Sequence, residues 1–264
     1  MTSQSPSLSA LPRPRAVPAA AGARWFHSAA ALLLTVLVVA GFHRFYTQGR
    51  AYPGRELAPP IRDLLIVHGA SMTAWLLLAV VQPFLVALRN MRLHRILGTF
   101  GAFLALAIAV PGWLVGVESA RIAPPDLRIW GMTPPQFMIV PIGSLVLFAG
   151  FVAAGILARR RPDVHRPMMV LATLSVASAG IGRIDMLNQL YAGTVFDRVL
   201  GPFFSTLALG GLLLAVRCVL TRGSRRFSER PFIAGYALLV AANAAMVHLA
   251  TGDLWAGISR ALLG

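Results

Sequence analysis

The amino-acid sequence predicts an all-α integral membrane protein, a bundle of about seven transmembrane helices with its N-terminus in the cytoplasm. Of its 264 residues, 57% are hydrophobic and only 12% are charged, whereas a soluble domain is about a quarter charged. The hydrophobic residues also occur in blocks of roughly 20, which is long enough to cross a hydrocarbon core of about 30 Å. The distribution of arginine between alternate loops then sets the orientation.

Seven apolar segments are predicted to span the membrane, and short loops join them. The segments are residues 25–43, 64–88, 95–117, 137–158, 166–187, 203–221 and 232–250. Residues 1–23 are rich in Ser, Pro and Ala and are predicted to form a disordered tail, so residues 24–264 make a single transmembrane domain. No small-residue cleavage site follows the first apolar segment, which is therefore interpreted as a retained helix.

Arginine carries the net charge of +15 in this chain, which contains no lysine. The arginines are densest in the N-terminal tail and in the second, fourth and sixth loops, so the positive-inside rule places these segments in the cytoplasm. Because they flank membrane spans, they do not indicate a nucleic-acid surface. The expected partner is the lipid bilayer, with anionic lipid as a ligand of the cytoplasmic His-Arg pairs.

No motif of a conventional hydrolase occurs in the apolar segments. They contain no H-E-x-x-H, no paired carboxylates on one helical face and no Gly-rich phosphate loop. The single cysteine, Cys218, excludes an internal disulfide and disfavours a Cys-based metal site. Whether the protein is an enzyme is left open by these observations.

The predicted orientation sorts the six histidines into two layers, as a two-haem membrane cytochrome requires. The cytoplasmic layer is His27, His94 and His165, and the outer layer is His43, His68 and His248. The predicted cofactor-binding residues are His68, His94, His165, Arg183 and His248. Among them, His94 and His165 are the candidate axial ligands of a haem iron, and a quinone is the alternative cofactor.

Two predicted helices carry unusual polar side chains. His68, Met72, Trp75 and Gln82 share one face by helical spacing, so His68 either serves a function or hydrogen-bonds across a helix interface. On the helix at 166–187, Arg183 follows His165 by five turns, or about 27 Å. Arg183 is interpreted in one of two ways. Either its side chain reaches the outer surface or pairs with Asp185, or it is a fixed charge for a propionate, a quinone oxygen or a lipid phosphate.

The two His-Arg pairs lie in a short repeated sequence motif. The segment "ALRNMRLHR", residues 87–95, matches "ARRRPDVHR", residues 158–166, at a constant offset, which suggests a duplicated helical hairpin. A third copy, "RRFSERPF" at residues 225–232, has Glu229 where the second has His165. The arginine that recurs in all three copies is therefore explained by membrane topology. The histidine, which occurs in only two copies, requires a separate explanation.

The motifs "HGASMTAW" (68–75), "HRILG" (94–98) and "HRPMM" (165–169), together with Arg183, carry a family resemblance. On them, the chain from about 62 to 190 resembles a bacterial family of predicted multi-pass membrane proteins without an assigned function. That family distantly resembles the b561-type haem-b membrane cytochromes. The resemblance implies a core four-helix bundle at about 62–190, an inner-membrane location and haem b. The segment 137–158 departs from the pattern because it has no histidine.

Three functions follow as hypotheses. The first is electron transfer through haem b or a quinone, which the two histidine layers favour. The second is non-redox binding of lipid or another small ligand by the basic residues at the helix ends. The third is an accessory or assembly role, in which the polar residues only set helix packing.

Overall fold

The computed structural model describes residues 21–51, 55–57, 59–221 and 229–264. In chain order, its elements are α1 (Ala21–Gly41), α2 (His43–Gln48), β1 (Arg50–Ala51), β2 (Arg55–Glu56), α3 (Arg62–Ala87), α4 (Met91–Arg121), α5 (Pro134–Phe137), α6 (Ile139–Leu157), α7 (Pro162–Ile181), α8 (Asp185–Gln189), α9 (Val195–Leu200), α10 (Phe204–Thr221), α11 (Arg230–Leu249) and α12 (Asp253–Leu263). Strands β1 and β2 pair as a small antiparallel hairpin. Of the predicted disordered tail, residues 1–20 lie outside the described residues. Residues 21–23 belong to α1.

Six helices in the described part of the chain are long and apolar enough to cross a membrane, which confirms the prediction of a helical membrane protein. They are Arg62–Ala87, Met91–Arg121, Pro134–Leu157, Pro162–Ile181, Val195–Thr221 and Arg230–Leu249. The predicted span at 25–43 corresponds to the shorter apolar segment Trp25–Gly41. On α4, the exposed face carries large apolar side chains such as Phe103, Leu106 and Val110, as a lipid-facing surface does.

Helices α4 and α7 begin four residues earlier than predicted. The side chain of Asn90 accepts a hydrogen bond from the backbone N–H of Leu93 (3.2 Å) and so caps the start of α4. Pro162 opens α7 at the position where the missing N–H of proline costs nothing. As a result, His94 and His165 are each the fourth residue of their helix.

The end of α7 differs from the prediction of a helix over 166–187. The helix ends at Ile181, and Gly182 follows it. Glycine is a poor helix former, and the side-chain amide of Asn188 donates to the carbonyl oxygen of Gly182 (2.8 Å), which stabilises the break. Arg183 therefore lies in the connection between α7 and α8, and not on a continuous helix five turns beyond His165.

The central helices form a ring. Helix α3 packs against α4, α4 against α6, and α6 against α7, while α1 lies between α3 and α7 and contacts both. The four helices predicted as the core are therefore joined by α1, which lies outside 62–190 in the sequence. Helix α11 packs against α6 and α7, and α10 also contacts α7.

Helices α1 and α7 approach each other closely at two glycines. A Cβ atom on Gly180 would lie 2.8 Å from Val38 Cα, and one on Gly41 would overlap the carbonyl oxygen of Gly180. In a membrane, such small residues let two backbones pack closely where larger side chains would separate them. This contact brings α1 into the ring.

Gly41→Ala is expected to lower the free energy of unfolding by about 1–3 kcal/mol, because the added methyl group must push α1 away from α7. The matched control is Gly150→Ala, since a Cβ atom at Gly150 would meet nothing within 4 Å. Thermal unfolding of the two purified variants in detergent measures the difference. Equal unfolding midpoints for Gly41→Ala and the unmodified protein would contradict the proposed helix contact.

Candidate functional site

Two cavities lie between helices of the ring, one towards each end of α7. Cavity 1 has a volume of about 270 Å³ and lies where α4 and α7 begin, with Met169 and Thr173 of α7 in its lining. Cavity 2 has a volume of about 160 Å³ and is lined by Val176 and Ala179 of the same helix. Since Thr173 and Val176 are three residues apart, a rise of only about 4.5 Å along α7 separates the two linings.

Helix α3 also borders both cavities. The indole N–H of Trp75 donates to the hydroxyl oxygen of Thr173 (3.3 Å), and the Trp75 ring meets the edge of the Phe148 ring at 4.8 Å between centroids. Trp75 lines cavity 1, whereas the next residue, Leu76, lines cavity 2. On the stripe singled out in the sequence, His68 and Met72 line cavity 2, and Trp75 and Gln82 line cavity 1.

Cavity 1 brings together the two histidines predicted as axial ligands. The ring centroids of His94 and His165 are 6.4 Å apart, and the ring planes are almost perpendicular at 86°. Both rings line the cavity, one from the first turns of α4 and the other from the first turns of α7. Both side chains are half-buried.

A hydrogen bond holds the His165 ring in a defined orientation. Its Nδ1 lies 2.8 Å from the carbonyl oxygen of Gly155 on α6. Because a carbonyl oxygen can only accept, Nδ1 carries the proton, and in the neutral ring Nε2 keeps its lone pair. Histidines that bind metals are typically oriented by this kind of bond to a backbone carbonyl. His94 differs, because its Nδ1 is buried and lacks a hydrogen-bond partner among the described residues.

A third imidazole, His27 of α1, also lines cavity 1. Its two ring nitrogens and the two polar atoms of the Gln82 side-chain amide are buried, and within the described ranges none has a hydrogen-bond partner. Buried polar atoms usually have partners, so these four atoms point to a polar group that would occupy the cavity. Neither residue was among the predicted cofactor-binding residues, although His27 shares the layer of His94, and Gln82 shares the stripe of His68.

The charge of the cavity 1 lining is positive. Arg159 and Arg166 contribute to it, and no acidic residue is found among its described lining residues. Arg159 donates one hydrogen bond to the carbonyl oxygen of Ile156 (3.3 Å). The positive charge of these two guanidinium groups favours a ligand that carries negative charge.

A buried ion pair lies beside the His27 end of cavity 1. The Arg217 Nε is 3.2 Å from Glu229 Oε1, and the two side chains are only 7% and 15% exposed. The Arg217 guanidinium also lies 5.7 Å from the centroid of the Phe26 ring, which contacts His27 edge-on. Glu229 therefore balances a buried arginine, and this explains why the third sequence copy has a carboxylate in place of a histidine.

The predicted outer residues separate into two groups. His68 and Arg183 both line cavity 2 and so come together. The structure places His248 on an exposed position of α11 that lines neither cavity, so it does not join the residues with which the sequence analysis grouped it. The physical reason is that α11 packs on the far side of α6 and α7, away from α3.

No protein-family model, curated protein or solved structure matches the chain. The functional interpretation therefore depends on the two cavities and on the residues that line them.

Glu229→Gln is expected to lower the free energy of unfolding by about 3 kcal/mol, because it leaves the charge of Arg217 buried without its counter-charge. Asp163→Asn is the control, since the Arg161–Asp163 pair is more exposed and its atoms are 3.8 Å apart. Loss of that pair should cost less than about 1 kcal/mol. Unfolding curves in detergent compare the two variants, and similar losses in both would exclude a special role for the buried pair.

Proposed function

We propose that the protein is a haem-b electron-transfer protein of the bacterial inner membrane, with one haem in cavity 1 between His94 and His165. The observation that carries this proposal is the spacing of these two rings, 6.4 Å between centroids. An imidazole nitrogen binds a metal at about 2 Å and its ring centroid lies about 1 Å further, so two axial imidazoles have centroids roughly 6 Å apart. The observed spacing is close to this value.

A haem would also explain how only two histidines can bind a metal ion in cavity 1. A protein-bound zinc ion usually needs three or four protein ligands, and the described residues contain no group of three or more His, Cys, Asp or Glu that could hold a metal. A porphyrin supplies four iron ligands of its own, so only the two axial positions remain for the protein. The donor set of cavity 1 fits that requirement.

The residues around the two histidines support the same ligand. The hydrogen bond from His165 to Gly155 directs Nε2 away from the backbone, as is typical of metal-binding histidines. Arg159 and Arg166 provide positive charge for the propionates of a haem. Held by His94 and His165, a haem would supply one-electron transfer at this site.

The volume of cavity 1 favours a second candidate, a quinone head group. At about 270 Å³, the cavity is slightly smaller than the roughly 300–1,000 Å³ of typical ligand pockets. A single quinone ring needs no rearrangement, whereas a porphyrin requires flexible lining side chains such as Gln82 and Met169 to move aside. The buried nitrogens of His27 and the Gln82 amide match the carbonyl oxygens of a quinone.

Expression with a sufficient haem supply, followed by purification, tests the haem proposal. The reduced-minus-oxidised spectrum of the purified protein is expected to show the Soret and α bands of a haem with two axial imidazoles. His94→Ala and His165→Ala should each remove most of the bound haem, because one axial ligand is lost. His248→Ala is the matched control and should keep its full haem content.

A colourless purified protein, or histidine variants that retain all their haem, would overturn the assignment. Size-exclusion profiles of the variants show whether they are still folded.

The quinone candidate is tested by solvent extraction of the purified, colourless protein. Co-purified quinone in about equimolar amount is expected, and Gln82→Leu should reduce it by about tenfold, as loss of a buried hydrogen bond does. Gln189→Leu, at an exposed residue outside both cavities, is the control. If neither haem nor quinone is found, non-redox ligand binding and an accessory role are the functions left.

A further inference from the structure

Cavity 2 is chemically distinct from cavity 1. It lies between the end of α1, the short helix α2, the first half of α3 and the end of α7. Its basic lining residues are Arg44, Arg50, Arg183, His43 and His68, and its one acidic residue in the described lining is Asp185. The excess of basic side chains gives the cavity a positive potential, which attracts an anion.

Two of these side chains are held in place by neighbouring groups. The Arg183 guanidinium lies 4.5 Å from the centroid of the Phe42 ring and also donates to the carbonyl oxygen of Ala179. This combination of a cation–π contact and a hydrogen bond positions a planar group whose five N–H donors can bind several acceptors at once.

The His68 ring is confined from the opposite side. A Cβ atom on Gly112 of α4 would lie only 3.2 Å from His68 Cε1, so the absence of a side chain at Gly112 makes room for the imidazole. Its Nδ1 is buried and has no hydrogen-bond partner in the part of the chain that the structure describes. A ligand in cavity 2 would supply that partner.

The remaining lining of cavity 2 is largely apolar. Leu65, Met72 and Leu76 of α3 face Val38 of α1 and Val176 of α7 across it. Val38 and Leu76 are buried, whereas Arg44, Arg50 and Asp185 are exposed. The cavity thus joins an exposed basic mouth to a buried apolar interior. This combination is suited to a molecule with one anionic end and one hydrocarbon end.

We propose that cavity 2 binds the anionic head group of an amphiphile, a phosphate or carboxylate with a hydrocarbon chain attached. Arg183 and His68 would contact the head group, and the apolar side chains would contact the first carbon atoms of the chain. The volume of about 160 Å³ admits only this part of the molecule, so the rest of the chain lies in the surrounding leaflet. The proposal does not depend on haem or quinone in cavity 1.

The test uses the full chain, purified in a neutral detergent, and follows thermal unfolding while phosphatidylglycerol is added. A saturable rise in the unfolding midpoint is expected, because a ligand of the folded state stabilises it. Phosphatidylcholine should have no comparable effect, since its head group carries no net charge. Arg183→Gln should weaken the apparent affinity for phosphatidylglycerol by about tenfold or more, as loss of a charge-assisted contact does.

Arg198→Gln is the matched control, since Arg198 is exposed and lines neither cavity. It should leave the phosphatidylglycerol affinity unchanged. If Arg183→Gln does not fold, His68→Leu replaces it, with an expected loss of at least about threefold for one hydrogen bond to a charged group.

Inorganic phosphate distinguishes the two sources of the anion. It should not raise the unfolding midpoint at concentrations where phosphatidylglycerol does, because it makes no contact with the apolar part of the cavity. If inorganic phosphate alone raises the unfolding midpoint and this rise depends on Arg183, the proposal of an amphiphile is overturned. The cavity is then assigned to a free anion. Equal phosphatidylglycerol affinity in the unmodified protein and in the Arg183→Gln or His68→Leu variant would overturn the site itself.

Discussion

The structure depends on the burial of α7 among its neighbouring helices. Helices α1, α6, α10 and α11 all contact it, and most of its side chains are buried. The helix can be buried in this way because its polar side chains bond to its own backbone: Ser175 donates to Ala172 and Ser178 to Ser175, at 2.8 and 3.3 Å. Gly180 then allows α1 to approach closely. Both cavities are consequences of this arrangement, since each is bounded by one end of α7.

The two cavities share helices but differ in chemistry. At the start of α7, His94, His165 and His27 surround a space whose charged lining residues are arginines. Towards its end, Arg183 and His68 border a smaller space with an exposed basic mouth. Trp75 and Thr173, which are hydrogen-bonded to each other, lie between them. Because the two linings differ in chemistry, the proposals place a redox cofactor in the first space and an amphiphile in the second.

The features that could be predicted most accurately from the sequence are those that one physical rule decides. The hydrocarbon thickness of a bilayer sets the length of each apolar segment, so the six long helices could be predicted to within several residues. Features that depend on a local contact could not be predicted in this way. The helix predicted over 166–187 ends at Ile181 because Asn188 binds the carbonyl oxygen of Gly182, which no helical periodicity reveals. For Glu229, the sequence showed only that it replaces the histidine of the repeated motif. Its ion pair could not be predicted, because its partner, Arg217, lies on another helix.

The sequence by itself determined that the chain is a helical membrane protein, and it singled out His94 and His165 through their repeated surroundings. Hydropathy and local motifs are properties of contiguous residues, so both features can be recognised without coordinates. Only the tertiary structure decided that these two rings face one cavity together with His27, that Arg183 joins His68, and that His248 stands apart. The reason is that these relations depend on which helix packs beside which. The close contact of α1 with α7 and the position of α11 outside the ring follow from side-chain packing between segments that are distant in the sequence.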